Sequence, residues 1–145
     1  MSLFQDINQE SSAIVGFGVR VLLISTDGKD SPVATKLAGL GSVLEHCDEL
    51  YSGIDTVLDD PNGYGLIVID CDTLGGLSAG QRAHTLLRVT ARCFPVILVS
   101  KECAQQQFPE SRHAPTLLRS PLSSVSLRVG FEHALRERFA LQIAG

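Results

Sequence analysis

The sequence predicts a doubly wound α/β fold, a parallel sheet held between two helical layers, and three observations predict it. The first is a set of short, unbroken apolar runs, above all Leu66-Ile67-Val68-Ile69. Such runs are too short for helices and apolar on both faces, as in strands covered from both sides. The second is their alternation with stretches of helical period, the crossovers that parallel strands require. The third is that the run at 66–69 stops at an acid, Asp70. Open sheets of this kind bind ligands beyond the carboxyl ends of their strands, which is where Asp70 falls.

The totals bound the rest. At 145 residues and 44% apolar, the chain suits one domain with one core system. A net charge of −4, with no dense Lys/Arg stripe, argues against a nucleic-acid surface. The four cysteines, at 47, 71, 93 and 103, include no Cys-x-x-Cys pair and fit neither a zinc site nor a compact disulfide framework. They read as reduced thiols, with Cys71 and Cys93 inert beside strands. No basic start leads into a long apolar run, and no stretch reaches the ~20 apolar residues of a membrane span. The expectation is a soluble, cytoplasmic protein with no membrane and no nucleic-acid partner.

In chain order, residues 1–18 are polar with scattered apolar positions and read as an N-terminal arm. Arg20 to Ile24 is the first strand. Asp30 or Ser31 caps a helix with Pro32 in its first turn, and Gly41 stops it after Leu40. Ser42 to Cys47 is the second strand. Ile54 to Asp59 is a short helix ended by Pro61-Asn62-Gly63, and 65–70 is the third strand. Ala79, Ala83, Leu86, Leu87 and Val89 give a helical face over Ser78–Arg92. Phe94 to Ser100 is the fourth strand and Glu102 to Phe108 a short polar helix. Thr116 to Arg119 is the fifth strand, closed by Ser120-Pro121. The last helix runs from Ser123 to about Leu141, with Val125, Phe131 and Leu135 packing on the sheet and Arg128, Arg136, Glu137 and Arg138 solvated. His46, His113 and His133 show no metal-ligand spacing.

An acid ending the third strand, a hydroxyl ending the fourth and a proline just past the fifth resemble the receiver domain of bacterial response regulators. The likeness covers residues 19–141. Asp70 lies 45 residues after Ser25, and Ser100 lies 30 after Asp70. The resemblance implies a flavodoxin-like sheet of order 2-1-3-4-5 and a role in two-component signal transduction. It makes Asp70 the phosphoacceptor candidate and Ser100 the hydroxyl that contacts the phosphoryl group. The family's magnesium-binding acidic pair falls on Ser25 and Thr26, its lysine on Ser120 and its aromatic switch on Leu117. It also implies a cis bond between Ser120 and Pro121.

These departures weaken phosphoryl chemistry, which depends on positioning and charge neutralisation. Hydroxyls are poor partners for Mg²⁺, and a rearranged site would have to draw on Asp27 and Asp72 beside Asp70. Asp72 helps only if strand geometry persists past Asp70. Lys29, Lys101 and Arg119 are the cations at that sheet end, and Arg119 reaches inward only if its strand slips or bulges. The expected protein is therefore not an enzyme but a stand-alone, atypical receiver with impaired or absent Asp70 phosphorylation. It acts by contact with a histidine kinase or downstream effector, and a homodimer through the last helix is open. Two alternatives stand beside it. One is a working phosphoacceptor with a rearranged metal site. The other is a flavodoxin-like small-ligand domain using Ser25-Thr26-Asp27-Gly28 as its phosphate loop.

Overall fold

Five strands pair in parallel in the order β2-β1-β3-β4-β5: β1 (Arg20–Ile24), β2 (Val43–Cys47), β3 (Leu66–Asp70), β4 (Val96–Ser100) and β5 (Thr116–Arg119). The helices are α1 (Pro32–Gly39), α2 (Leu50–Asp59), α3 (Leu77–Thr90) and α4 (Ser124–Ala144). This computed structural model describes residues 18–28, 30–90, 94–111 and 113–144, with Thr90 and 136–144 by backbone alone. Almost all of the expected N-terminal arm lies outside the described residues, as do Lys29 and Cys93.

Alternation along the strands builds the two layers. Val21, Leu23, Val68, Ile97 and Val99 face α1 and α4, meeting Leu37, Leu127 and Phe131. Leu22, Ile24, Ile67, Ile69 and Leu98 face α2 and α3, meeting Ile54, Val57, Ala83 and Leu87. β3 and β4 are buried at every position, which is why they read as unbroken apolar runs.

Helix starts follow from capping. Ser31 accepts from the Ala34 amide at 3.2 Å and Pro32 follows it, as expected. α2 begins at Leu50, four residues before the expected Ile54, because the Glu49 carboxylate accepts from the amides of Tyr51 and Ser52. At the amino end of the sheet, Arg20 bonds Glu45 at 2.7 Å, Asp60 and the Gly63 carbonyl, and lies over the Tyr64 ring. This network ties β1, β2 and the turn before β3 together.

Three expectations are corrected. Glu102 to Phe108 is not a helix. The segment has no apolar stripe to hold it on the sheet, and its backbone turns to β5 instead. Gln107 and Leu117 exchange both backbone hydrogen bonds at 2.9 Å in an antiparallel bridge. The Arg119 guanidinium donates to the Ala104 carbonyl, His133 Nε2 to the Pro109 carbonyl, and Phe108 packs edge-on against His133. Second, Val125 does not pack on the sheet: it is 74% exposed, and Val129, one turn later, is 45% exposed. The buried face of α4 is Leu127, Phe131, Ala134 and Leu135. Third, α3 buries Ala79, Ala83 and Leu87 but leaves Leu86 and Val89 exposed.

Candidate functional site

The carboxyl ends of β1, β3 and β4 form the site, at the switch point where the strand order reverses. Ile24 pairs with Ile69, so Ser25 and Asp70 follow at the same level. Both are buried, Ser25 completely and Asp70 to 8% exposure. The Ser25 hydroxyl donates to Asp70 Oδ2 at 3.4 Å and accepts from the Asp27 amide at 3.1 Å. Asp70 itself caps no amide of the turn that follows. Burial, and then the negative charges of Asp27 and Asp72, hold the Asp70 carboxyl above the ordinary carboxylate range, and the long Ser25 bond opposes them only weakly.

No cation among the described residues enters that balance. The ion pairs among the described residues join Arg20 to Glu45 and Asp60, and Arg128 to Glu132. Arg119 pairs with Ser100 in an unbulged register, is exposed, and serves the Ala104 carbonyl. Lys101 contributes its backbone amide, not its ammonium, to a neighbouring carboxylate. Ser120, at the family's lysine position, donates its amide to the Ser100 carbonyl at 3.2 Å, and its bond to Pro121 is cis as the resemblance implies. Leu117, at the aromatic-switch position, packs at the edge of the α2–α3 core.

Asp72 departs furthest from its expected place. β3 ends at Asp70 and a single 3-10 turn, Cys71–Thr73, follows, so strand geometry does not persist and Asp72 swings towards β4. Its Oδ1 accepts from the Ser100 hydroxyl at 2.7 Å and its Oδ2 from the Lys101 amide at 2.9 Å. Alternation explains why Ser100 meets Asp72 and not Asp70. Leu98 belongs to the α2–α3 core, so Ser100, two residues on, leaves the sheet on that side. Val68 belongs to the opposite core, and Asp70 follows it there. Ser100 is completely buried, and its oxygen also accepts from the Glu102 amide at 3.0 Å.

Thr26 is turned away from Asp70: its amide donates to Thr73 Oγ1 at 3.1 Å and its hydroxyl to the Thr73 carbonyl. Thr73 in turn donates to the Asp70 carbonyl at 3.0 Å, so one threonine stitches the β1 and β3 loops together. His46 Nε2 donates to the Ser25 carbonyl at 2.6 Å and fixes the end of β1 from the side. Glu102 accepts from the Leu77 amide at the start of α3, close over Gly76, whose φ of +96 suits glycine. Thr73, His46 and Glu102 were not singled out for the site by sequence. Their partners are backbone groups brought near only by the sheet order, and no local pattern marks them.

Among the described residues, no three His, Cys, Asp or Glu side chains are arranged to hold a metal ion. Both oxygens of Asp72 face β4 donors, so Asp27, Asp70 and Asp72 do not converge into the carboxylate set that would suit Mg²⁺. A polar groove of about 400 Å³ opens nearby in sequence but not onto Asp70; Ala104, Gln106, Arg119, Pro121 and Ser126 are among the residues lining it. No helix among the described residues is long and apolar enough to cross a membrane.

No protein-family model and no curated protein sequence matches the chain. Solved structures do. A response regulator receiver domain protein from Clostridium thermocellum superposes with a TM-score of 0.62 at 15% identity, covering 85% of this chain and 98% of that one. The signal receiver domain of an HD domain-containing protein from Pseudomonas fluorescens Pf-5 gives 0.64 at 11% identity, over 86% and 92%. The response regulator PhyR from Brucella abortus gives 0.64 at 15% identity, covering 97% of this chain but 58% of that one. The five-stranded parallel sheet in the order 2-1-3-4-5 is thus the receiver fold.

Proposed function

We propose that this chain is a receiver-like signalling domain that works by protein–protein contact, with Asp70 in the phosphoacceptor position and its phosphorylation impaired. One observation carries the reading: Asp70 is buried, feels the negative charges of Asp27 and Asp72, and no cation among the described residues offsets them. Phosphorylation would add about −1.5 to −2 charges there. An uncompensated buried charge costs on the order of 3–5 kcal/mol. The donor set disfavours magnesium, so the usual neutralising ion is poorly provided for.

The partner is a protein, a histidine kinase or a downstream effector. Val125 and Val129 on α4, with Phe108 beside His133, form an exposed apolar strip suited to such a contact or to a second copy. The small-ligand alternative is less well supported. Its phosphate loop would need free amides, yet the Thr26 amide serves Thr73 and the Asp27 amide serves Ser25.

Beryllofluoride with Mg²⁺ tests the reading, using the full chain and D70N as the control. Amide NMR spectra of the wild-type protein are expected to show no Asp70-dependent change, and a small phosphodonor is expected to add little mass. Stoichiometric modification of Asp70 would overturn the impaired-acceptor reading and favour a working phosphoacceptor.

A further inference from the structure

The last helix carries apolar residues on two opposite sides. Leu127, Phe131, Ala134 and Leu135 hold it on the sheet, while Val125 and Val129 stand on the outer side, 74% and 45% exposed. Glu132 continues that outer stripe, so the steps from Val125 to Val129 to Glu132 are four residues and then three, the spacing of a heptad seam. The backbone of α4 stays helical to Ala144, and the same alternation of four and three reaches positions 136, 139 and 143, which the sequence fills with Arg, Phe and Ile. Read in order, the seam is apolar at both ends and carries one charge of each sign at its centre. We propose that α4 pairs with α4 of a second copy of this chain, antiparallel, through Val125, Val129, Glu132, Arg136, Phe139 and Ile143, with the two-fold axis at the level of Ala134.

Charge decides the orientation. Laid parallel, two such seams would set position 132 against 132 and 136 against 136, like charge on like. Laid antiparallel, position 132 falls opposite 136 of the second copy, 129 opposite 139 and 125 opposite 143. Every apolar position then meets an apolar one and every charge its opposite, the self-complementarity that a two-fold axis demands. The in-chain Arg128–Glu132 pair is half-exposed, and pairs of that kind contribute little, so Glu132 turns to a second cation at small cost. The inference rests on the proposed mode of action by protein–protein contact and names the partner as a second copy. A seam this short supports a reversible dimer, so the fold of each copy does not depend on it.

The test is sedimentation equilibrium of the full chain from low micromolar to near-millimolar concentration, with circular dichroism to check that each variant is folded. Wild type is expected to show a monomer–dimer equilibrium, and V129E to stay monomeric over the same range. E132R and R136E each put like charges into both central layers, so each is expected to raise the dissociation constant about tenfold or more. The double variant E132R/R136E restores opposite charges and is expected to return to within about threefold of wild type. A wild type that is monomeric throughout overturns the proposal and assigns the strip to a different protein. A dimer that survives V129E also overturns it, by placing the contact elsewhere. Single reversals without effect, or a double reversal no better than the singles, refute the antiparallel register. Modification of wild-type Asp70 by beryllofluoride would sink the impaired-acceptor reading and leave the sedimentation result standing, so the two failures are separable.

Discussion

Replacing Asp70 by asparagine is expected to make the domain more stable. Asp70 is 8% exposed, is repelled by the charges of Asp27 and Asp72, and receives a long hydrogen bond from Ser25 at 3.4 Å. A buried polar group left this poorly satisfied costs about 1–3 kcal/mol, and more when charged. Asparagine keeps the volume and the acceptor oxygen, removes the charge, and brings an amide that can donate to a neighbouring carboxylate. Allowing for imperfect pairing of that amide, the gain is about 1–2 kcal/mol at neutral pH. At about 2–4 °C per kcal/mol for a chain of this size, Tm rises by roughly 2–8 °C.

The pH dependence separates this cause from others. The folded carboxyl is raised above its unfolded value of about 3.9. Between the two, the native state binds more protons, so wild-type stability falls as pH rises through that window. Below the unfolded value both forms are protonated and the charge-related part of the advantage vanishes. The difference between D70N and wild type, from urea denaturation at a series of pH values, should therefore open as pH rises from about 4 and then level off. A variant less stable than wild type at neutral pH, or an advantage independent of pH, would refute the claim of an uncompensated charge.

Three further outcomes follow from the packing and charge around the sheet. A Cβ added at Gly80 would run into Cys71 Sγ, so G80A should cost up to about 2 kcal/mol even after the ~1 kcal/mol that alanine gains in a helix. C71A removes that obstacle, and urea denaturation of the double variant should show favourable coupling above about 1 kcal/mol; strict additivity would exonerate the thiol. Burial pushes the Cys71 thiol up to about 12, so site-resolved mass spectrometry after thiol labelling of the native protein should find it far less modified than half-exposed Cys47, and equal labelling would contradict the buried placement. Burial, and then the bond to Glu45, push the Tyr64 phenol up to about 12; in E45Q its ultraviolet titration should move to lower pH, and an unmoved titration would count against the bond.

What the sequence disclosed follows physical range. β3 and β4 were legible because burial on both faces writes itself as consecutive apolar residues, and the acid at position 70 marked a strand end without further help. The early start of α2 was not, because a glutamate cap depends on a carboxylate reaching back to two amides rather than on a favoured residue type. Residues 102–108 carried weak helical character, but an element without an apolar stripe is decided by its neighbours, here the outer side of β5. Val125 and Val129 fit the period of α4, yet period alone cannot choose between two adjacent helix faces. At the site, the sequence brought Asp70 and Ser100 to one end of the sheet. The turn that sends Asp72 to Ser100, and the threonine that binds the loops, arise from contacts between segments far apart in the chain.

The antiparallel bridge at Gln107 has a consequence for assembly. By lying against β5, the chain lends that rim of the sheet a short extra rung of its own, and among the described residues only β2 ends the sheet without one. Growth of fibres through strand addition needs two receptive rims on every subunit, one to give and one to take. With Leu117 already paired from within the chain, the β2 rim is the one left more open to strand addition between crowded copies.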